Sequence, residues 1–246
     1  MSFKFGLIVA DTSRSLIYLA TLARFRVFPN SILVLGSNRE IFLKDRIFDF
    51  SDAYSSAWRR HFPDIESNPT LGIMDLVSLM GCSDVVCLEQ NDVNSPEVIE
   101  WIEQRRLALS CCVYSGYAGV IVEKAVLDQG LLFLHAHSGF LPDYKGSTTT
   151  YYSLLETNLV GVSVIGLSPV LDAGEIFVRK WFYLERDERF CIDHFYDAYT
   201  RALALIDVLR DFKLQGSVGQ GVEQESGGTM YYVIHPLLKY FAIFRD

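Results

Sequence analysis

His135 and His137 stand two residues apart at the end of the apolar run Leu131-Leu132-Phe133-Leu134, and Ser138-Gly139-Phe140-Leu141-Pro142-Asp143-Tyr144-Lys145-Gly146 follows them. Side chains alternate along a strand, so this spacing sends both imidazoles to one face. Asp172, in Leu171-Asp172-Ala173-Gly174, lies further along and can bring a carboxylate from a second loop. Two imidazoles and a carboxylate are a set suited to acyl transfer, which needs a hydrogen-bond donor for a developing oxyanion and a group that moves a proton. A neutral imidazole offers one N–H and one lone pair, and two adjacent imidazolium ions repel, so at least one ring stays neutral. A carboxylate beside His137 makes that ring the cation and leaves His135 neutral.

Plainer readings stand beside this one. Both histidines could be hydrogen-bonded strand-end residues without chemistry, and Asp172 could merely shape a turn before Gly174. A two-His-one-carboxylate metal site, with a hydrolase built on His135 and His137, is a third reading, but the sequence supplies no further ligand cluster and no metal is expected.

The elements that must hold these residues follow from hydropathy. Apolar runs of strand length at 7–10, 32–35, 85–88, 111–114 and 131–134 alternate with longer amphipathic stretches, the order of a parallel α/β sheet. One helix start is clear at Asn94-Ser95-Pro96-Glu97: Ser95 can cap, Pro96 fits the first turn and Glu97 favours the positive end, with Val98, Ile99, Ile102 and Leu107 as the apolar stripe. Residues 188–213 form another amphipathic stretch, followed by a Gly/Ser/Gln-rich loop and a short tail around Tyr231 and Tyr232. The loop Asp11-Thr12-Ser13-Arg14-Ser15 is a weak candidate for an anion site at a helix start, because it lacks the glycine-rich form.

With 246 residues, 50% of them hydrophobic, the chain can bury a large core. A boundary near residue 180 divides it into a catalytic domain, 1–180, and a C-terminal helix and short strand extension, 181–246. The formal net charge of −8 and the lack of a dense basic run argue against nucleic acid as a partner. The five cysteines show no zinc or redox spacing and read as reduced thiols. The apolar stretch near the N-terminus is too short for a membrane span and carries no cleavage signature, so a cytoplasmic protein without membrane partners is expected.

The order His-x-His-x-x-x-Leu-Pro-x-Tyr-x-Gly, preceded by Ser115-Gly116-Tyr117-Ala118-Gly119-Val120-Ile121 and followed by Gly161-Val162-Ser163 and Leu171-Asp172-Ala173-Gly174-Glu175-Ile176, resembles the formyltransferases that use 10-formyltetrahydrofolate. The resemblance implies a Rossmann-like, mostly parallel α/β sheet flanked by helices, the formyltransferase fold, with a short C-terminal extension. It places His137 and Asp172 at the family's catalytic histidine and aspartate positions. His135 falls where the family has an asparagine that donates to the formyl oxygen. The folate pocket then falls on Gly116, Tyr117, Ala118, Gly119, Val120, Leu171 and Asp172, and the substrate side on Tyr144, Lys145, Gly146 and Ser147.

The same resemblance sorts the acceptors. Enzymes acting on initiator tRNA carry a C-terminal domain suited to a polyanion, whereas residues 177–246 hold nine Lys/Arg against ten Asp/Glu. Enzymes acting on glycinamide ribonucleotide open with a glycine-rich phosphate loop, and residues 11–15 contain no glycine. A nucleotide-linked amino sugar is what remains, and the family's paired subunits imply a homodimer. A catalytically impaired relative that keeps the pocket as a binding module is the alternative, with His135 marking the loss.

Overall fold

The computed structural model describes residues 3–36, 52–66, 71–117 and 119–245. Nine strands and nine helices are found among them: β1 Phe5–Ala10, α1 Ser13–Arg24, β2 Ser31–Leu35, α2 Asp52–His61, α3 Ile73–Leu79, β3 Val85–Leu88, α4 Pro96–Arg105, β4 Cys111–Ser115, α5 Lys124–Leu127, β5 Leu132–His137, β6 Tyr144–Gly146, α6 Thr149–Thr157, β7 Val160–Gly166, β8 Ile176–Phe182, α7 Arg186–Arg189, α8 Asp197–Gln215, β9 Thr229–Tyr231 and α9 Pro236–Phe244. One turn of π-helix, Ile192–Tyr196, leads into α8. No helix among the described residues is long and apolar enough to cross a membrane.

Seven strands form one sheet in the order β3-β2-β1-β4-β5-β7-β8. The pairings from β3 through β5 are parallel, and those of β5 with β7 and β7 with β8 are antiparallel. The five expected runs all form strands of this sheet. The two antiparallel strands were not expected, and they matter most to the site because β7 holds the end of β5.

Continuous apolar runs form β1 and β4 because both faces of a parallel sheet are covered. Leu7 and Val9 face a core shared with Leu16, Ile17 and Leu19 of α1 and Leu205, Ile206 and Leu209 of α8. Ile8 and Ala10 face the opposite core, with Val98, Trp101 and Ile102 of α4. Each such side chain removed wholly from water contributes about 1.5–3 kcal/mol, which is how α1 and α8 are fixed against the sheet. The tail closes on the same body, with β9 pairing parallel to β6.

Local signals set the helix ends. Ser95 Oγ accepts from Val98 N at 3.4 Å, and Thr12 Oγ1 accepts from Ser15 N at 3.2 Å. The α4 stripe stops short of Leu107, which is 84% exposed, because the helix ends at Arg105 and Trp101 takes the buried position instead.

Candidate active site

The chain reverses its strand order beside β1, since β2 lies on one side of it and β4 on the other. In such sheets ligands collect outside the carboxyl ends of the strands at this reversal. Arg14 follows β1, Gly116 and Tyr117 follow β4, and His135 and His137 end β5. All five line one cavity of about 550 Å³.

β7 fixes the end of β5 through antiparallel pairs His135 with Ile165 and His137 with Ser163. The loop that follows is tied back by Ser163, whose hydroxyl donates to Gly139 O at 2.7 Å and accepts from Leu141 N at 2.9 Å. Gly139 is needed there, because a Cβ would meet the Tyr144 carbonyl and the His137 ring. The chain then returns so that the Tyr144 carbonyl accepts a hydrogen bond from His137 Nε2 at 2.8 Å. A carbonyl only accepts, so the ring carries its proton on Nε2 and turns Nδ1 elsewhere.

Nδ1 lies 3.3 Å from Asp172 Oδ1. Asp172 Oδ2 accepts from Gly146 N at 2.8 Å, and Gln224 Nε2 donates to the carbonyls of Asp172 and Gly174, both at 2.8 Å. The backbone of Asp172 is in the left-handed region, φ 54°, a conformation aspartate tolerates better than most residues. The carboxylate is therefore held at Oδ2 by a backbone amide while Oδ1 faces the ring, and the two distant motifs meet. Burial lowers the pKa of His137, while the Asp172 charge and the Tyr144 carbonyl oppose that shift.

His135 has the opposite polarity to the one expected from an asparagine-like role. Its Nδ1 lies 3.2 Å from the Tyr114 carbonyl, so Nδ1 carries the hydrogen and the ring's only neutral-state N–H is already spent. Nε2 is left with its lone pair. The ring stays neutral, because burial and then the charge of Arg201 bring its pKa down to about 3, against the Tyr114 carbonyl. The side chain is an acceptor in the cavity wall.

This burial has a consequence for stability. The folded ring titrates near 3 and an unfolded histidine near 6.5, so the unfolded chain binds the extra proton between those values and stability falls as pH drops below about 6.5. The loss from this group grows as the pH falls from about 6.5 toward 4. Urea unfolding at the two pH values is expected to show it, and His135→Gln is expected to flatten the slope. A slope unchanged in the variant contradicts a neutral ring held in the cavity wall.

The other anticipated positions divide. Gly119, Val120, Leu171, Gly146 and Ser147 also line the cavity, whereas Ala118 lies outside the described residues. Gly119 has φ +77°, and Val120, Ile121 and Leu171 are exposed, giving one wall an apolar surface suited to a flat ring. Tyr144 and Lys145 point away from it: the Tyr144 hydroxyl donates to Glu156 Oε2 at 2.7 Å, and Lys145 Nζ donates to Gly227 O at 2.9 Å. Tyr144 serves the site through its backbone carbonyl. Among the described residues no group of three or more His, Cys, Asp or Glu side chains is placed to hold a metal ion.

Four charged residues were missed or underrated. Arg14, Asp193, Asp197 and Arg201 line the cavity from α1, the π-helical turn and α8. Arg201 Nη2 and Asp197 Oδ2 are 3.0 Å apart, and Thr150 Oγ1 donates to Asp197 Oδ1 at 2.8 Å. The only sequence hint was the candidate anion loop around Arg14.

No protein-family model matches this sequence, and no curated protein does. Solved structures do match. Glycinamide ribonucleotide transformylase 1 from Symbiobacterium toebii aligns with a TM-score of 0.56 at 14% identity, over 87% of this chain and 89% of that one. Phosphoribosylglycinamide formyltransferase from Anaplasma phagocytophilum gives 0.54 at 13% identity, over 86% and 89%. A sugar N-formyltransferase from a Shewanella species gives 0.52 at 15% identity, over 98% and 86%. The expected architecture is thereby borne out: this chain has the fold shared by these formyltransferases.

Proposed function

We propose that the protein transfers a formyl group from 10-formyltetrahydrofolate to the amine of a nucleotide-linked amino sugar. The observation that carries this reading is the His137–Asp172 pair, closed at 3.3 Å in the wall of a cavity that also holds His135. The fold supports the reaction class, and the glycine-poor 11–15 loop supports the choice of acceptor.

The cavity fits the donor on chemical grounds: an apolar wall at Val120, Ile121 and Leu171 for a flat ring, with the polar cluster beside it. Bound there, the folate supplies the activated formyl carbon. The chain's own residues do the rest. His135 Nε2 accepts an N–H of the acceptor amine, which keeps the nitrogen neutral and aims its lone pair. The His137–Asp172 pair takes the proton that this nitrogen must shed and returns it to the departing amine. The Gly146 amide holds the carboxylate, and Gln224 holds the loop backbone that carries it, while this happens.

The test is to incubate purified protein with 10-formyltetrahydrofolate and a panel of nucleotide-linked amino sugars, and to follow tetrahydrofolate. Release that depends on one of these acceptors is expected. Binding of the donor without release for any acceptor returns the binding-module reading.

A further inference from the structure

Three carboxylates line the cavity, and each is already engaged. Asp172 faces His137, Asp193 is paired with Lys239 and bonded by the Tyr151 hydroxyl, and Asp197 is paired with Arg201. Arg14 has neither an ion pair nor a hydrogen bond among the described residues. It stands in the first turn of α1, close enough to Arg201 that the second guanidinium is the main influence lowering its pKa. Arg201 is only 8% exposed, held by Asp197 and the Tyr18 hydroxyl, and its Nε is buried without a hydrogen-bond partner.

Two like charges held together, Arg201 buried and Arg14 part-buried, cost free energy in the resting protein, and the single charge of Asp197, ion-paired to Arg201, cannot balance both. A ligand anion removes that cost on binding. A flat carboxylate is satisfied by a single guanidinium fork, whereas two guanidiniums on separate helices suit oxygens spread in three directions. We infer that Arg14 and Arg201 form a receptor for a phosphoryl group, carried by the acceptor, at the inner side of the cavity next to His135.

The inference rests on the proposed reaction only for the identity of the molecule that carries the anion. The binding test needs no turnover. Calorimetric titration of the whole protein with inorganic pyrophosphate, in EDTA at low ionic strength, is expected to show saturable binding. Arg14→Gln is expected to weaken it at least tenfold, and Arg14→Lys to recover part of that loss. His137→Ala is expected to bind within twofold of the parent, which separates this site from the formyl-transfer reading. The thermal midpoint of ligand-free Arg14→Gln should not fall, because the removed charge had no partner. Equal binding by parent and Arg14→Gln, or no binding by the parent, overturns the inference. So does Arg14-dependent binding of p-aminobenzoylglutamate in place of pyrophosphate, since the anion would then belong to the folate tail.

Discussion

His137→Ala is expected to lower acceptor-dependent tetrahydrofolate release by about 10²–10⁴, the range carried by a positioned acid-base group. Its donor affinity should change little, because the apolar side chains of Val120, Ile121 and Leu171 are untouched by the substitution. Asp172→Asn is expected to fall in the same range for a separate reason. An asparagine amide can still accept from Gly146, but it presents no charge to Nδ1, so the site that receives the acceptor's proton is lost while the loop stays in place. Because both changes break one pair, the double variant should lose scarcely more than either single one. Steady-state rates of the three variants, with circular dichroism to establish folding, decide this. Multiplicative losses would mean that the two residues act independently, and unchanged release in both single variants would remove the pair from the reaction.

The fold was largely legible because a parallel sheet covered on both faces needs long apolar runs, and such runs can be read without knowing their neighbours. β7 and β8 were not, because glycine and polar residues break their apolar runs: Gly161 and Ser163 in β7, Arg179 and Lys180 in β8. In Val160–Gly166, Gly161 sits where an added Cβ would strike Phe140 and the Trp181 ring, and Ser163 is there to bond the loop after β5. Such residues answer to tertiary neighbours and carry little strand propensity of their own. The meeting of His137 with Asp172 was readable from motif order. The cationic cluster was not, because Arg14 and Arg201 come from α1 and α8, and a polar residue on an amphipathic helix reads as solvent-facing until the packing is seen. The part played by the Tyr144 carbonyl was not legible either, since a backbone carbonyl has no signature in side-chain identity.

The polarity of His135 was equally hidden, as it depends on where the Tyr114 carbonyl points, and it sets the second large effect. In place of His135, an asparagine would put its amide where Nδ1 now meets that carbonyl and would leave nothing at the position of Nε2. His135→Asn is therefore expected to cost about 10²-fold in kcat/KM, on the scale of losing about 1 Å of alignment between reacting groups. His135→Gln should recover much of the loss, because its amide oxygen reaches further and can accept. A ring that titrates near 3 contributes no acid limb between pH 5 and 8, so the pH profile of the His135→Asn variant should keep the shape of the parent's. An asparagine variant as fast as the parent would show that the position supplies a donor and that the proton sits on Nε2. A limb near pH 6.5 present in the parent and absent from the variant would show that the imidazole itself changes charge during turnover. Nitrogen chemical shifts of the His135 ring report the tautomer directly, and a proton on Nδ1 is the result that the Tyr114 contact requires.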